Sequence, residues 1–257
     1  MSPLIVEREG RVLRLRFNRP QSLNALDVET ARAFLAAARE IEADRSLGVV
    51  VMSGAGRAFV AGGDLQQLRA APVETADALI GPLHEALQRL ASADAIVLAA
   101  LHGAVAGAGL SLALAADLAI AAQGTRFNLA YVNVGTSCDL GSSWALPRVV
   151  GLRKSMEIAL LGEDLDADEA LRLGLVNRVV AADALEAETH ALAQRVANGP
   201  PIALAQIKRL MRRSLERTLA EQLDAEQQAF RHCAATEDFS EALAAFFDKR
   251  APQYRGR

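Results

Sequence analysis

The spacing of apolar positions changes character along this chain. Leu13, Leu15 and Phe17 alternate with Arg14 and Arg16, the period of a half-buried strand, so residues 4–8 and 11–17 read as a hairpin turning at Glu9-Gly10. From 27 to 44 the apolar positions Val28, Ala31, Leu35, Ala38 and Ile41 recur at helical spacing, and Asp27 stands where an N-cap belongs. Short apolar runs at 49–52, 96–101 and 118–122 read as buried strands, with helices expected over about 75–92 and 110–116. Past residue 140 the pattern is helical except for a short strand near 176–180, with helices expected at 183–197, 201–219, 221–235 and 239–249.

Strands alternating with helices, followed by a helical tail, predict an α/β protein with a right-handed β–β–α core and a C-terminal helical region. The last four helices lack an evident partner within such a core and are expected to pack on a neighbouring subunit. Apolar residues make up 51% of the 257 positions, with few aromatics, which fits a helix-rich α/β fold. The net charge of −3 is interspersed, so nucleic acid is not an expected partner. Charge enters at Glu7, Arg8 and Glu9 and no apolar run is long enough to span a bilayer, so a soluble, cytoplasmic protein with no membrane partner is expected. Cys138 and Cys233 are far apart without CxxC partners, and the histidines lack HExxH spacing, so no metal is expected.

Two stretches carry candidate chemistry. GAGRAFVAGGDL, at 54–65, follows a buried strand, but GxGxxG would need a glycine at Phe59 and no P-loop GKS or GKT follows. Ala61-Gly62-Gly63 runs instead into Asp64 and a helix start, where backbone N–H groups are unpaired. HGAVAGAGLSLALAAD, at 102–117, repeats the design, turning at Gly107-Ala108-Gly109 before a helix. Two such turns can aim two N–H donors at one oxygen, as in an oxyanion hole. They can equally be tight packing turns.

NRP at 18–20 with NAL at 24–26, GRAFVAGGDL at 56–65, HGAVAGAGLSLALAAD at 102–117 and GLVNRVV at 174–180 together resemble the crotonase superfamily, also called enoyl-CoA hydratase/isomerase. The four motifs stand in the family's order and span nearly the whole chain. The resemblance implies a repeated ββα spiral core over residues 1–195 holding an acyl-CoA site, and a C-terminal helical trimerisation region over 196–257. It implies Ala61 and Ala108 as the oxyanion-hole residues. It also implies a CoA channel along Gln21, Ser22, Leu23 and Ala25 and along Ala61, Gly62, Gly63 and Asp64. Lys249 matches a position near the CoA nucleotide, in the neighbouring subunit. No cofactor is implied beyond the coenzyme A that the substrate carries, and a homotrimer or a dimer of trimers is expected. Asp64 and Asp117 match family positions and read as structural, fixing helix ends or loops.

Hydratases of this family use two glutamates around one water, and those positions here are Ser111 and Tyr131. Neither is a carboxylate, so neither serves as the usual base near neutral pH. Ser111 reads as a helix residue beside the pocket and Tyr131 as a wall or hydrogen-bond donor. Asp139, in VGTSCDLGSSW, matches the aspartate of family members that shift double bonds and of those that displace halide from an aromatic ring. It is the expected catalytic acid and base, with a helix N-cap near Leu140 as the plainer alternative. His84 reads as a packed histidine on a helix flanking the pocket, and His102 as structural. Cys138 has no evident base to activate it. Lys208, Arg209, Arg212, Arg213 and Arg217 read as a solvated helix face, with a CoA phosphate contact as the alternative. The leading expectation is an enoyl-CoA isomerase. The alternatives are a hydratase, an aryl-CoA dehalogenase and a non-catalytic acyl-CoA binder.

Overall fold

The computed structural model describes residues 2–257. Strands β1 (Leu4–Glu9) and β2 (Val12–Phe17) form the antiparallel hairpin, and β2 then pairs in parallel with β3 (Val49–Gly54). In chain order there follow β4 (Ile96–Leu101), β5 (Ala104–Ala106), β6 (Leu118–Ala122), β7 (Arg126–Asn128) and β8 (Arg178–Val180). The main sheet has the order β1-β2-β3-β4-β6-β8, parallel from β2 onward. A second, smaller sheet pairs β5 with β7 and is extended by single bridges at Leu26–Gly63, Val60–Val105 and Phe127–Leu165. The turns of the spiral that carry β4 and β6 each add a five- or six-residue strand to the first sheet and a three-residue strand to the second.

The apolar runs of β3, β4 and β6 are continuous because both faces of the main sheet are covered. Val50, Met52, Val97, Ala99 and Leu101 join the large core with α1 (Val28–Ala43) and α3 (Pro72–Ser92) on that side, while the short α2 (Leu65–Ala70), which buries none of its residues, precedes α3. Val49, Val51, Leu98 and Ile120 point the other way, onto α8 (Leu185–Ala197). The sheet therefore alternates at period two between two cores. Asp27 caps α1 as expected, accepting from the Thr30 N–H. Helix α4 (Ala108–Ala115) lies between β5 and β6, and α5 (Ser142–Val150), α6 (Leu152–Leu161) and α7 (Ala167–Arg172) lie between β7 and β8.

The expectation that all the C-terminal helices lack a partner in the core is corrected. Helix α8 covers the second sheet face, and α9 (Pro201–Arg213) is pinned by Lys208. The Lys208 Nζ is buried, donating to the carbonyls of Leu90 and Ala95 at 2.9 and 2.8 Å and standing 3.1 Å from Asp117 Oδ2. Arg212 pairs with the same carboxylate at 2.6 Å. These two cations are anchors rather than a solvated face. Helices α10 (Leu219–Ala234) and α11 (Glu237–Asp248) differ: Leu219, Phe230, Phe246 and Phe247 on them are largely exposed.

Candidate active site

Val60 bridges Val105, and the Ala106 N–H donates to the Val60 carbonyl at 3.0 Å, which brings the two small-residue turns side by side. Gly62 and Gly107 both take positive φ, +119° and +50°, and a Cβ on Gly107 would lie 3.6 Å from the Gly62 Cα. Gly109 sets the closeness: a Cβ there would stand 1.9 Å from the Val60 carbonyl oxygen, so a larger residue would push α4 away from the strand. Ala108 opens α4, and among the described residues its N–H has no acceptor. An amide at this place carries the positive end of the helix dipole and suits a developing negative charge. The Ala61 N–H is instead taken by the Leu23 carbonyl, at 3.1 Å.

Leu23 belongs to a loop over 19–25 that runs beside the first turn. Leu23 and Asn24 have φ of +52° and +59°, a left-handed pair held by the Asn24 side chain. Its Nδ2 reaches the carbonyls of Ala55, Ala58 and Phe59 at 2.9, 2.8 and 3.1 Å, and its Oδ1 accepts from the Arg19 N–H. Arg19 pairs with Asp27 at 3.1 Å and Asp64 at 2.9 Å, so one guanidinium ties the loop to both helix caps. Asp64 caps α2. Burial pushes its carboxyl up, but the Arg19 hydrogen bond, the Gln67 and Gln66 amides and the Arg19 charge outweigh this and leave it below the ordinary carboxylate value.

One helical turn beyond Ala108, the Ser111 Oγ lies 2.9 Å from the Tyr131 hydroxyl. The Tyr131 oxygen is also 3.4 Å from the Asp139 carbonyl. Burial pushes the Tyr131 hydroxyl well above its ordinary pKa, the Ser111 hydrogen bond opposing and the Asp139 and Cys138 charges adding. Tyr131 is therefore a neutral phenol throughout the working range, a donor and not a base.

Asp139 turns its side chain away from this pair. Its Oδ1 sits 2.7 Å from the Nε2 of His84, on the middle of α3. The N-cap of α5 is Gly141, and Asp139 contributes only its backbone carbonyl there, accepting from the Ser142 N–H and Oγ at 3.1 and 2.9 Å. The side chain is thus not the helix cap, and His84 is not simply a packed residue. His102 is structural, as expected, with its Nε2 3.0 Å from the Gly56 carbonyl.

From His84, Ser111 and Leu140 a groove of about 1140 Å³ runs between α3, α4, α5, α9 and α10. Its middle is apolar, with Leu87, Leu114, Trp144 and Leu210, and its far wall carries arginines. No residue of the 19–25 loop or the 61–64 turn lines it. The groove therefore leaves the site on the side away from that loop.

The family model described as enoyl-CoA hydratase/isomerase matches residues 7–257. The chain belongs to the enoyl-CoA hydratase/isomerase family. It is 37% identical over 254 residues to a protein of Mycobacterium bovis named a probable enoyl-CoA hydratase, covering 99% of this chain and 98% of that one. It is 34% identical over 256 residues to the 1,2-epoxyphenylacetyl-CoA isomerase of Escherichia coli, covering 97% of each. The crystal structure of an enoyl-CoA hydratase from Polaromonas superposes with a TM-score of 0.93 at 36% identity, covering 98% of this chain and 99% of that one. The spiral is therefore the crotonase fold, and the chain is an acyl-CoA enzyme of this family.

In this family member the turns with Ala61, Gly62, Gly63 and Ala108, and the loop with Gln21, Ser22, Leu23 and Ala25, form one contiguous patch. Ser111, Tyr131 and Asp139 lie next to it. Lys249 is separate: it caps the C-terminus of α11 in the left-handed conformation and does not line the groove. Sequence reasoning missed Arg19 and did not foresee the pairing of His84 with Asp139. The NRP motif contained the first, while the separation of 55 positions between His84 and Asp139 hid the second. Among the described residues no group of His, Cys, Asp and Glu is arranged to hold a metal, and no helix is long and apolar enough to cross a membrane.

Proposed function

We propose that the enzyme shifts a carbon–carbon double bond in an unsaturated acyl-CoA, with Asp139 as the sole acid and base. The observation that carries this reading is the placement of the Asp139 carboxylate on His84, beside positions where a hydratase's two carboxylates are replaced by Ser111 and Tyr131. The thioester oxygen lies between the N–H groups of Ala61 and Ala108. Asp139 removes a proton from C2 or C4, the electrons move onto the thioester oxygen as a dienolate, and the same carboxyl returns the proton at the other carbon. A positioned base contributes about 10² to 10⁴-fold and an oxyanion donor about 10² to 10³-fold, so both devices are needed.

The Leu23 carbonyl holds the Ala61 N–H, so substrate binding has to displace or share that bond. Backbone at 19–25 and 61–64 receives the CoA arm, and the acyl group lies toward the groove. Purified protein incubated with 3-enoyl-CoA should yield the 2-enoyl isomer; absence of interconversion defeats the reading.

Hydration is the second reading, favoured by the names most of the relatives carry. It requires the Ser111–Tyr131 pair to hold a water without a carboxylate of its own, and a crotonyl-CoA hydration assay separates it from the first. The exposed Phe230, Phe246 and Phe247 support assembly into a homotrimer or dimer of trimers. Light scattering should then give three or six times the 27.3 kDa of one chain.

A further inference from the structure

The groove has two chemically different ends. On α3 its lining runs from His84 through Leu87 to Ser92, and on α4 from Ser111 through Leu114 to Ala115. The eight residue steps of α3 from 84 to 92 correspond to ~12 Å along the helix axis, enough to hold a medium-length acyl chain. At the far end stand Arg209, Arg212, Arg213 and Arg217.

Two of these guanidiniums are already neutralised. Arg209 is paired with Asp94, and Arg212 with Asp117 and the Ala115 carbonyl. Arg217 donates to the uncharged Gln222 side chain at 3.2 Å and has no ion pair, although the Glu221 carboxylate is near enough to feel its charge, and among the described residues Arg213 has no side-chain partner. Among the described residues the single acid in the lining, Glu216, also lacks an ion pair, so the lining at this end holds one unpaired acid against two guanidiniums without an ion pair. A purely hydrocarbon tail would leave this end unused, whereas an anionic terminus would receive charge-assisted hydrogen bonds.

We infer that the preferred substrate carries a carboxylate at the far end of its acyl chain, held by Arg213 and Arg217: a dicarboxylic acyl-CoA thioester. This inference rests on the groove being the acyl side of the site, as the proposed function has it, and not on which bond Asp139 moves. Saturated analogues read it without chemistry. Calorimetric titration of the full chain should find suberoyl-CoA bound about tenfold or more tighter than octanoyl-CoA. Arg213→Glu and Arg213→Ala/Arg217→Gln should bring the ratio of the two affinities to one or below. Equal affinities in the unaltered enzyme, or a ratio untouched by these substitutions, would overturn the inference. A ratio that stands while no 3-enoyl isomer is turned over would keep the substrate class and discard the isomerase. Failure of both analogues to bind would overturn the acyl-CoA placement and this inference with it.

Discussion

The Nε2 of His84 and the Oδ1 of Asp139 are 2.7 Å apart, a side-chain contact that joins α3 to the loop before α5. It occupies one carboxylate oxygen and fixes the plane of the group, and in the proposed mechanism Oδ2 is the oxygen that meets the substrate. His84→Ala is therefore expected to lower kcat by roughly 10²-fold through misplacement of the carboxylate, with little change in KM. His84→Gln, which keeps a donor, should recover part of the loss. Steady-state kinetics on 3-enoyl-CoA checks both; a pure KM effect would assign His84 to substrate binding.

Tyr131 has a pH signature. Its phenol is held above the ordinary tyrosine value chiefly by burial, so between that value and the folded one the unfolded chain has lost a proton that the folded chain retains. Stability should accordingly be full below about pH 10 and fall as the pH rises beyond it. Tyr131→Phe should remove that part of the alkaline slope in urea titrations, and its pH–rate profile near neutrality should keep its shape.

The closeness of the two turns rests on Gly109. Gly109→Ala forces a Cβ against the Val60 carbonyl and is expected to cost at least ~1–3 kcal/mol of stability, with loss of activity as α4 withdraws. Gly81, inside α3, is the contrasting site: nothing beyond its chain neighbours would meet a Cβ there, but Pro82 follows and opposes a helical Cβ, so Gly81→Ala should leave stability within about 0.5 kcal/mol. Denaturant midpoints compare the two.

Lys208 ties α9 to the core. Lys208→Met removes three partners and leaves Asp117 with one cation, which should destabilise the fold by ~3–5 kcal/mol if Arg212 does not compensate. A second, earlier unfolding transition confined to α9–α11 would mean that the lysine anchors only the tail.

The long elements were legible because their patterns are strong. β4 and β6 fall where the apolar runs end, and α1 begins at the expected cap. β5 and β7 were not, since three residues such as Ala104–Ala106 carry no periodicity and their pairing is fixed by distant strands. α9 stops at Arg213, where a helix to 219 was expected, and a 3-10 turn over Ser214–Glu216 follows. The basic run looked like a solvated face because one helix cannot reveal that Asp117 and two carbonyls, more than ninety residues earlier, wait beneath Lys208. At the site, the turns and Asp139 could be named from the sequence. The engagement of Ala61 by Leu23 and of Asp139 by His84 depends on spatial neighbours that spacing does not encode.

The most direct measurement is single-turnover conversion of a 3-enoyl-CoA in deuterium oxide by the unaltered enzyme and by Asp139→Asn. The unaltered enzyme should deliver the 2-enoyl product, and the variant should be slower by about 10²-fold or more with thioester binding retained. Full-rate isomerisation by the variant, or hydration at full rate by both forms without any bond shift, would contradict a lone aspartate as the proton carrier.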